Sequence, residues 1–294
     1  MKILITGSNG QLGNELKKIV ETGQAEIAGI SLKIKNSEVI ALDINDLDIT
    51  NFLMVKEKLK NIKPDVVINC AAATNVDGCE SNEDLAFKVN SLGAKNLAIV
   101  CEEIGAKIVQ VSTDYVFSGK GDTPLTEFDL VSPYSVYGKT KLLGENYVKD
   151  FSSKYFIVRT AWLYGYIGHN FVYTMQRLGR EKDSLKVVND QRGNPTHAND
   201  LAYHILKLIE TEEYGIYHCT GKGECTWYDF AKKIMELSNI ECSVNPCSSE
   251  EYKTPAKRPE YSSLDNMMLR CTVGDEMRDW EVALESFIRN NSNK

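Results

Sequence analysis

Residues 2–13 read KILITGSNGQLG, and this stretch decides the fold. The apolar, β-branched run Lys2–Thr6 is typical of a buried strand, and the residues after Gly13 have helical periodicity. In a strand, glycine turn and helix unit, Gly7 permits the tight turn, Gly10 lets a pyrophosphate approach the backbone, and Gly13 lets helix and strand pack closely. The free N–H groups at the helix start favour phosphate. The stretch therefore predicts a dinucleotide-binding unit.

Strands and helices are predicted to alternate through the first half of the chain. The further strands are predicted at 38–43, 65–72, 107–112 and 155–160, and the helices at 49–61, 85–104 and 134–149. Because these strands are continuously apolar, the pattern indicates a parallel sheet covered on both faces, with right-handed crossovers. Residues 25–30 (AEIAGI) compete with 38–43 (EVIALD) for second place in the sheet. The latter is favoured because it is more apolar and ends in an acid.

After about residue 163 the alternation weakens, and glycines, aromatic residues and polar loops increase. Later strands are predicted at 185–188 and 215–219, helices at 169–180, 199–211 and 226–239, and mostly irregular structure at 241–263. We therefore expect an α/β fold with a Rossmann-like, doubly wound parallel sheet. Residues 1–163 are expected to form the NAD(P)-binding domain, to which later segments return. Residues 164–294 are expected to form a smaller, discontinuous substrate-binding lobe.

Composition excludes several classes of protein. The 294-residue chain has a formal net charge of -7, which disfavours sequence-independent binding to nucleic acid. Its eight Cys and four His show no zinc-type spacing, so we expect no metal site of that kind and free thiols in a reducing compartment. No signal peptide is recognisable, and no apolar run approaches the roughly 18 residues of a membrane-spanning helix. These features predict a cytoplasmic protein without a membrane partner.

Two strand ends carry further cofactor candidates. Asp43 follows the predicted second strand, where a carboxylate would accept hydrogen bonds from the adenosine ribose and repel a 2′-phosphate. Lys33 and Lys35 lie close to it in sequence, so the choice between NADH and NADPH stays open. Ala71, Ala72 and Ala73 end the next strand, and their small side chains would leave room for the cofactor.

The stretch 131–148, VSPYSVYGKTKLLGENYV, places Tyr137 one helical turn before Lys141, so the two side chains share a helix face. A nearby ammonium is expected to lower the pKa of the phenol. Such a tyrosine can donate a proton to a carbonyl oxygen while hydride arrives at the carbon. Thr113, at the end of the strand before this helix, could polarise the same oxygen. The same spacing occurs at Tyr203 with Lys207 and at Tyr228 with Lys232, but neither pair follows a strand-end hydroxyl.

Together these motifs resemble the extended short-chain dehydrogenases/reductases, and among them the dTDP-4-dehydrorhamnose reductase family. The matching runs are GQLGNEL, VVINCAA, STDYVFSG, YGKTKLLGE, VRTAWLYG, HNFVYTM, VVNDQRGNPT and AKRPEYSSLD, which extend to about residue 265. The resemblance implies NADPH- or NADH-dependent reduction of the C4 keto group of dTDP-4-dehydro-L-rhamnose to dTDP-L-rhamnose.

The resemblance also implies roles for single residues. Tyr137 would be the proton donor, Lys141 its activator and a ligand of the nicotinamide ribose, and Thr113 the hydroxyl partner. Thr113, Asp114 and Trp162 would contact the sugar. Gly10, Gln11 and Leu12 would contact the phosphates, and Asp43, Asp48 and Ile49 the adenosine.

Three alternatives stay open. Some members of the family dimerise through carboxylates around Mg²⁺; Glu15 matches one such position, but Asn199 stands where another glutamate would be. Monomer and homodimer, with or without this ion, are both compatible with the sequence.

A related dehydratase or epimerase would retain the fold, but a dehydratase would have Glu where this chain has Tyr115. A non-catalytic, NAD(P)-binding regulatory subunit would resemble the same family.

Overall fold

The computed structural model describes residues 1–292. The strands are β1 (Lys2–Thr6), β2 (Glu38–Leu42), β3 (Val66–Asn69), β4 (Lys107–Thr113), β5 (Tyr155–Thr160), β6 (Leu163–Tyr164), β7 (Ser184–Val188), β8 (Arg192–Gly193), β9 (Thr196–His197), β10 (Gly215–His218), β11 (Cys225–Thr226) and β12 (Ser243–Cys247). The helices are α1 (Gln11–Thr22), α2 (Leu32–Lys35), α3 (Phe52–Ile62), α4 (Val76–Ser81), α5 (Glu83–Phe87), α6 (Ala94–Ile104), α7 (Val136–Phe151), α8 (Phe171–Glu181), α9 (Ala198–Leu208), α10 (Trp227–Leu237), α11 (Met267–Thr272) and α12 (Trp280–Ser292).

The central sheet has six parallel strands in the order β10-β5-β4-β3-β1-β2. One apolar core packs α1 and α9 against one face, and a second packs α3 and α6 against the other. The predicted α/β class and parallel sheet are therefore confirmed. β2 pairs with β1 along its whole length, whereas residues 25–30 contribute only the isolated bridge between Gln24 and Gly29. The choice of residues 38–43 for second place in the sheet was right.

The chain reverses its direction across the sheet at β1. From β1 it passes outward to β2 and then crosses to the opposite side of β1 to form β3. In open parallel sheets, ligands bind outside the carboxyl ends of the strands at such a reversal. The glycine turn after β1 and the segments after β3, β4 and β5 all lie at this edge.

Beyond the central sheet, short two-stranded sheets and helices pack around an aromatic core. The strand pairs are β6 with β9, β7 with β12 and β8 with β11. Tyr164, Phe230 and Phe287 are among the largest fully buried side chains of this region. β10 returns from this part of the chain to the central sheet and pairs with β5. The division of the chain at residue 163 stays a prediction.

Two predicted segments are corrected by the structure. The helix expected at 85–104 is interrupted by a π-helical turn, Lys88–Gly93, between α5 and α6. The interruption turns Asn90 inward, where its side-chain amide exchanges hydrogen bonds with the backbone of Ala73. The stretch 241–263, expected to be mostly irregular, contains β12, which pairs in parallel with β7. Pro246 is tolerated there because a two-stranded sheet has only edge strands.

All eight cysteines are free thiols. Within residues 1–292, no helix has both the length and the apolar character needed to cross a membrane.

Candidate active site

A cleft of about 1750 Å³ opens at the carboxyl edge of the central sheet. All residues predicted to contact cofactor or substrate line it. They are Gly7, Gly10, Gln11, Leu12, Gly13, Asp43, Asp48, Ile49, Ala71, Ala72, Ala73, Thr113, Asp114, Tyr137, Lys141 and Trp162. The fold therefore assembles residues from five strand ends and from α7 into one site, while their individual roles stay predictions.

The glycine turn has the geometry that close backbone approach requires. Gly7 has a positive φ of 61°, and a Cβ there would lie 2.7 Å from the backbone nitrogen of Ala71. A Cβ on Gly13 would lie 2.7 Å from the carbonyl oxygen of Gly7. Gly10 instead has an ordinary φ of −74°, and a Cβ there would meet only the Gly7 oxygen, at 3.3 Å. Gly7 and Gly13 are therefore needed for packing, whereas Gly10 leaves the mouth of the turn open.

The acid after β2 contacts the glycine turn directly. Asp43 accepts a hydrogen bond from the Asn9 backbone N–H at 2.9 Å, so the turn and the tip of β2 form one surface. The Oδ1 atom of Asp48 already has two hydrogen-bond donors nearby, the backbone N–H and the side-chain hydroxyl of Thr50. Lys33 and Lys35 belong to α2 and are absent from the described lining of the cleft. These two lysines therefore give no support for a 2′-phosphate site.

Helix α7 carries the tyrosine and lysine into the cleft. The Ser135 hydroxyl caps its first turn by accepting from the Gly138 N–H. Lys141 is 4% exposed and donates to the Val111 carbonyl oxygen on β4 at 2.5 Å. Tyr137 is partly buried, and its ring meets the edge of the Tyr115 ring at 5.5 Å between centroids. The phenol and the ammonium thus reach the same edge of the sheet.

The two other tyrosine–lysine pairs lie outside the described lining of this cleft. In each pair, the lysine ammonium lies over the ring of the tyrosine. The distance from Nζ to the ring centroid is 5.4 Å for Lys207 over Tyr203 and 5.5 Å for Lys232 over Tyr228. Lys207 also forms an ion pair with Glu276. Equal spacing in the sequence therefore produces cation–π pairs outside this cleft in two helices and a cleft-lining pair only in α7.

The expectation that Lys141 lowers the pKa of Tyr137 is wrong for this structure. Burial raises the pKa of the Tyr137 phenol, and Asp114 raises it further, while a hydrogen bond with Thr113 lowers it. Burial also lowers the pKa of Lys141 to about 8, against the opposing effect of Glu145. At neutral pH the phenol is protonated and the lysine is mostly charged. The pair is therefore set to donate a proton, as reduction of a carbonyl requires.

The strand-end residues Thr113 and Asp114 form the polar side of the site. The Thr113 hydroxyl donates to Asp114 Oδ1 at 2.9 Å and lies within hydrogen-bonding reach of Tyr137. Burial raises the pKa of Asp114 to about 6, although the neighbouring hydroxyls of Ser262 and Thr113 lower it. Asp114 Oδ2 is buried and makes no hydrogen bond shorter than 3.5 Å in the described residues. An unsatisfied carboxylate oxygen at the cleft can accept from a ligand hydroxyl.

A buried ion pair behind Lys141 was not found from the sequence. Glu145 lies one turn after Lys141 and accepts hydrogen bonds from Arg159 Nε and Nη2 at 3.0 and 2.8 Å. The side chains are 0% and 3% exposed, and the Ser112 hydroxyl also donates to Glu145. The spacing of Tyr137, Lys141 and Glu145, four residues each, was a usable signal for a shared helix face. That Arg159 is the partner of Glu145 can be seen only from the tertiary structure.

The Mg²⁺ alternative has little support in the geometry around Glu15. Asn199 donates its side-chain amide to Glu15 at 2.7 Å and accepts from the Glu26 backbone N–H at 2.7 Å. Residues 1–292 contain no group of three or more His, Cys, Asp or Glu side chains placed to hold a metal ion. Asn199 thus provides the Glu15 carboxylate with a hydrogen-bond donor where a metal ion would otherwise be needed.

Comparison with known proteins identifies the lineage of this chain. A family profile described as the RmlD substrate binding domain matches residues 1–293. The chain belongs to this family. The match covers both the glycine turn and the distant lobe, in agreement with the single cleft that they form.

Relatives of the RmlD family resemble this chain over its whole length. A spore coat polysaccharide biosynthesis protein, SpsK of Bacillus subtilis, is 40% identical and covers 99% of this chain and 98% of its own. A structure of a dTDP-4-dehydrorhamnose reductase from Clostridium acetobutylicum is 54% identical, with a TM-score of 0.94 and coverage of 99% and 100%. One from Bacillus anthracis in complex with NADP is 42% identical, with a TM-score of 0.91 and coverage of 98% and 99%.

The glycine turn makes a prediction that separates binding from folding. Gly10→Val is expected to abolish NADH binding while the protein stays folded, because the backbone conformation suits any residue. Gly13→Val is expected to lower the unfolding temperature, because its Cβ would press on backbone atoms. Fluorescence titration with NADH and thermal unfolding of both variants measure these effects. Unchanged affinity in folded Gly10→Val would contradict the assignment of the turn to the cofactor.

The lowered pKa of Lys141 predicts a pH-dependent affinity for the cofactor. A lysine that holds the ribose as an ammonium donor loses this ability as the pH rises through its pKa of about 8. NADH affinity is therefore expected to be constant near neutral pH and to fall above it, by up to about tenfold per pH unit. Titration of NADH across this range measures the effect, and Lys141→Met should abolish the pH dependence. Lys207→Met is the matched control and should keep the pH dependence. Loss of the pH dependence in that variant would show that it does not arise from Lys141.

Proposed function

We propose that this chain is an NAD(P)H-dependent reductase of dTDP-4-dehydro-L-rhamnose, which produces dTDP-L-rhamnose. One observation carries the proposal. Thr113, Tyr137 and Lys141 meet at the carboxyl edge of a sheet whose glycine turn lines the same cleft. The relatives named for this reaction, one of them solved with NADP, support it.

The residues of the cleft fit a dinucleotide on the evidence of their own geometry. The open mouth of the glycine turn faces the start of α1, whose free N–H groups suit a pyrophosphate. The three alanines after β3 line the same cleft as Tyr137 and Lys141, and their small side chains leave room for the cofactor. We propose that Asp43 contacts the adenosine ribose and Lys141 the nicotinamide ribose. When bound, the reduced nicotinamide would supply hydride to the carbonyl carbon.

The chain's own residues then supply the proton and orient the ketone. The Tyr137 phenol, kept protonated by its raised pKa, donates its proton to the C4 oxygen as that oxygen gains charge. The Thr113 hydroxyl gives up its hydrogen bond to Asp114 and donates one to the same C4 oxygen instead. Lys141 and the Thr113 hydroxyl stabilise the phenolate until it regains a proton. Asp114 and Trp162 orient the sugar beside these groups.

The alternatives find less support in the site. A dehydratase needs a carboxylate base where Tyr115 stands, and Tyr115 packs against Tyr137 instead. The intact group of Thr113, Tyr137 and Lys141 disfavours a purely regulatory subunit. We propose further that the segment up to residue 163, together with β10, holds the cofactor and that the later lobe holds the sugar nucleotide. Eight free thiols are consistent with action in the cytoplasm, and the oligomeric state stays open between monomer and homodimer.

The proton donor is tested by removing one oxygen atom. Tyr137→Phe is expected to keep NADH affinity within a few fold and to lose about 10²–10⁴-fold in turnover of dTDP-4-dehydro-L-rhamnose. Tyr203→Phe and Tyr228→Phe remove the same phenolic oxygen from tyrosines outside the cleft and should leave turnover nearly unchanged. Single-turnover rates of NADH oxidation measure all three variants. Near-normal turnover in Tyr137→Phe would exclude this phenol as the acid, and a wild type inactive on this sugar would favour the regulatory alternative.

A further inference from the structure

Trp162 has a backbone conformation that bulky residues rarely adopt. Its φ is 46°, in the left-handed region, and only Lys63 and Asn239 share this among the described non-glycine residues. Those two lie at or just beyond helix ends, where a left-handed residue is common. Trp162 instead lies between β5 and β6, where the chain leaves the central sheet at the edge of the cleft. Strain of this kind persists only where the surroundings enforce it, and it concentrates at functional sites.

Two neighbours, Trp227 and Gly193, enforce the position of the indole. Trp227, the first residue of α10, stacks on the Trp162 ring with 3.5 Å between centroids and 7° between planes. On Gly193, a Cβ would lie 2.7 Å from Trp162 Nε1 and Cε2, so only glycine fits there. A full face-to-face overlap is not the arrangement that aromatic pairs prefer. The position of the indole is therefore imposed by its neighbours.

The position of Trp227 is itself fixed. Thr226 and Asp229 form a reciprocal capping box that sets the first turn of α10. Phe171 supports the Trp227 ring at 4.5 Å between centroids, with the planes tilted by 51°. Trp227 and Phe171 both line the cleft together with Trp162. Three aromatic rings from separate segments thus form one apolar wall.

This wall stands beside the polar groups of the site. Thr160 at the end of β5 is the register partner of Thr113 at the end of β4. Trp162, two residues further on, therefore borders the strand end that presents Thr113 and Asp114. A sugar ring held there would place its carbonyl group at the hydroxyl groups of Thr113 and Tyr137 and would turn an apolar C–H face towards the Trp162 indole.

We propose that Trp227 is a positioning residue, which holds the Trp162 indole against Gly193 as the apolar wall for the 6-deoxy sugar ring. The proposal rests on the proposed function for the identity of the ligand, a dTDP-linked deoxy sugar. It assigns to Trp227 no part in the proton transfer and none in cofactor binding. Its loss should therefore weaken recognition of the sugar and leave recognition of the nucleotide intact.

The geometry is tested by circular dichroism without any activity assay. Two indoles stacked at this distance couple strongly in the far ultraviolet, and they give an exciton couplet when their transition dipoles are not parallel. The couplet is expected in the wild type and should be lost in Trp227→Leu and in Gly193→Ala, whose added Cβ would press on Trp162 Nε1 and Cε2. Trp280→Phe, a tryptophan outside the described cleft lining, should keep it. A far-ultraviolet spectrum of folded Trp227→Leu that differs from the wild type no more than that of Trp280→Phe does would overturn the proposed stack.

The function of the stack is tested by calorimetric titration with dTDP and with dTDP-L-rhamnose. The ratio of the two dissociation constants reports the contribution of the sugar. This ratio is expected to fall about three- to tenfold in Trp227→Leu and in Gly193→Ala. Affinity for dTDP and for NADH should change little. Trp227→Phe keeps an aromatic face and should restore most of the ratio. The Gly193→Ala variant keeps the test decisive if Trp227→Leu does not fold.

Two results would overturn the proposal. One is an unchanged ratio in a folded variant that has lost the couplet, and the other is an equal weakening of both ligands. A wild type that binds dTDP-L-rhamnose no better than dTDP would also overturn it. If the wild type prefers dTDP-L-rhamnose but does not oxidise NADH with the 4-keto sugar, the proposed reaction fails while the aromatic wall stands.

Discussion

The site depends on the buried ion pair between Glu145 and Arg159. It joins α7 to β5, and through the Ser112 hydroxyl it joins both to β4. Both side chains are almost completely buried, so removing one partner would leave an uncompensated charge at a cost of about 3–5 kcal/mol. The pair holds α7 at the end of β4, and this position brings Tyr137 and Lys141 to Thr113. The negative charge of Glu145 also opposes the loss of the Lys141 proton.

Burial at the junction of α7 and β4 sets the protonation states of the site. Burial raises the pKa of Tyr137 and of Asp114 and lowers the pKa of Lys141. A protonated phenol beside a lysine that still carries its charge suits donation of a proton rather than its removal. The polar groups of β4 and α7 line the same cleft as the aromatic wall of Trp162, which stands beside them. In the proposed function, the polar groups carry out the catalysis and the aromatic wall recognises the sugar.

Local sequence patterns predicted the elements near the glycine turn well. The apolar run of β1, the three glycines and the acid after β2 each have a signal within a few residues, and the choice of 38–43 as second strand followed from composition. The pattern could not predict the direction of the Tyr137 pKa shift, because that shift is set by burial, which depends on the tertiary structure. Nor could it place Arg159 behind Glu145, Asn90 in a π-helical turn, or Trp227 on Trp162. Those contacts join segments far apart in sequence, and no local periodicity encodes them.

The most direct test of the account follows the hydride itself. NADH deuterated at the transferable position is incubated with dTDP-4-dehydro-L-rhamnose and the wild-type protein, and the product is analysed by NMR. The account predicts dTDP-L-rhamnose with deuterium at C4 of the sugar and one NADH oxidised for each product formed. Deuterium at another carbon, or a new product formed without net oxidation of NADH, would contradict the reductase and indicate the chemistry of an epimerase or dehydratase.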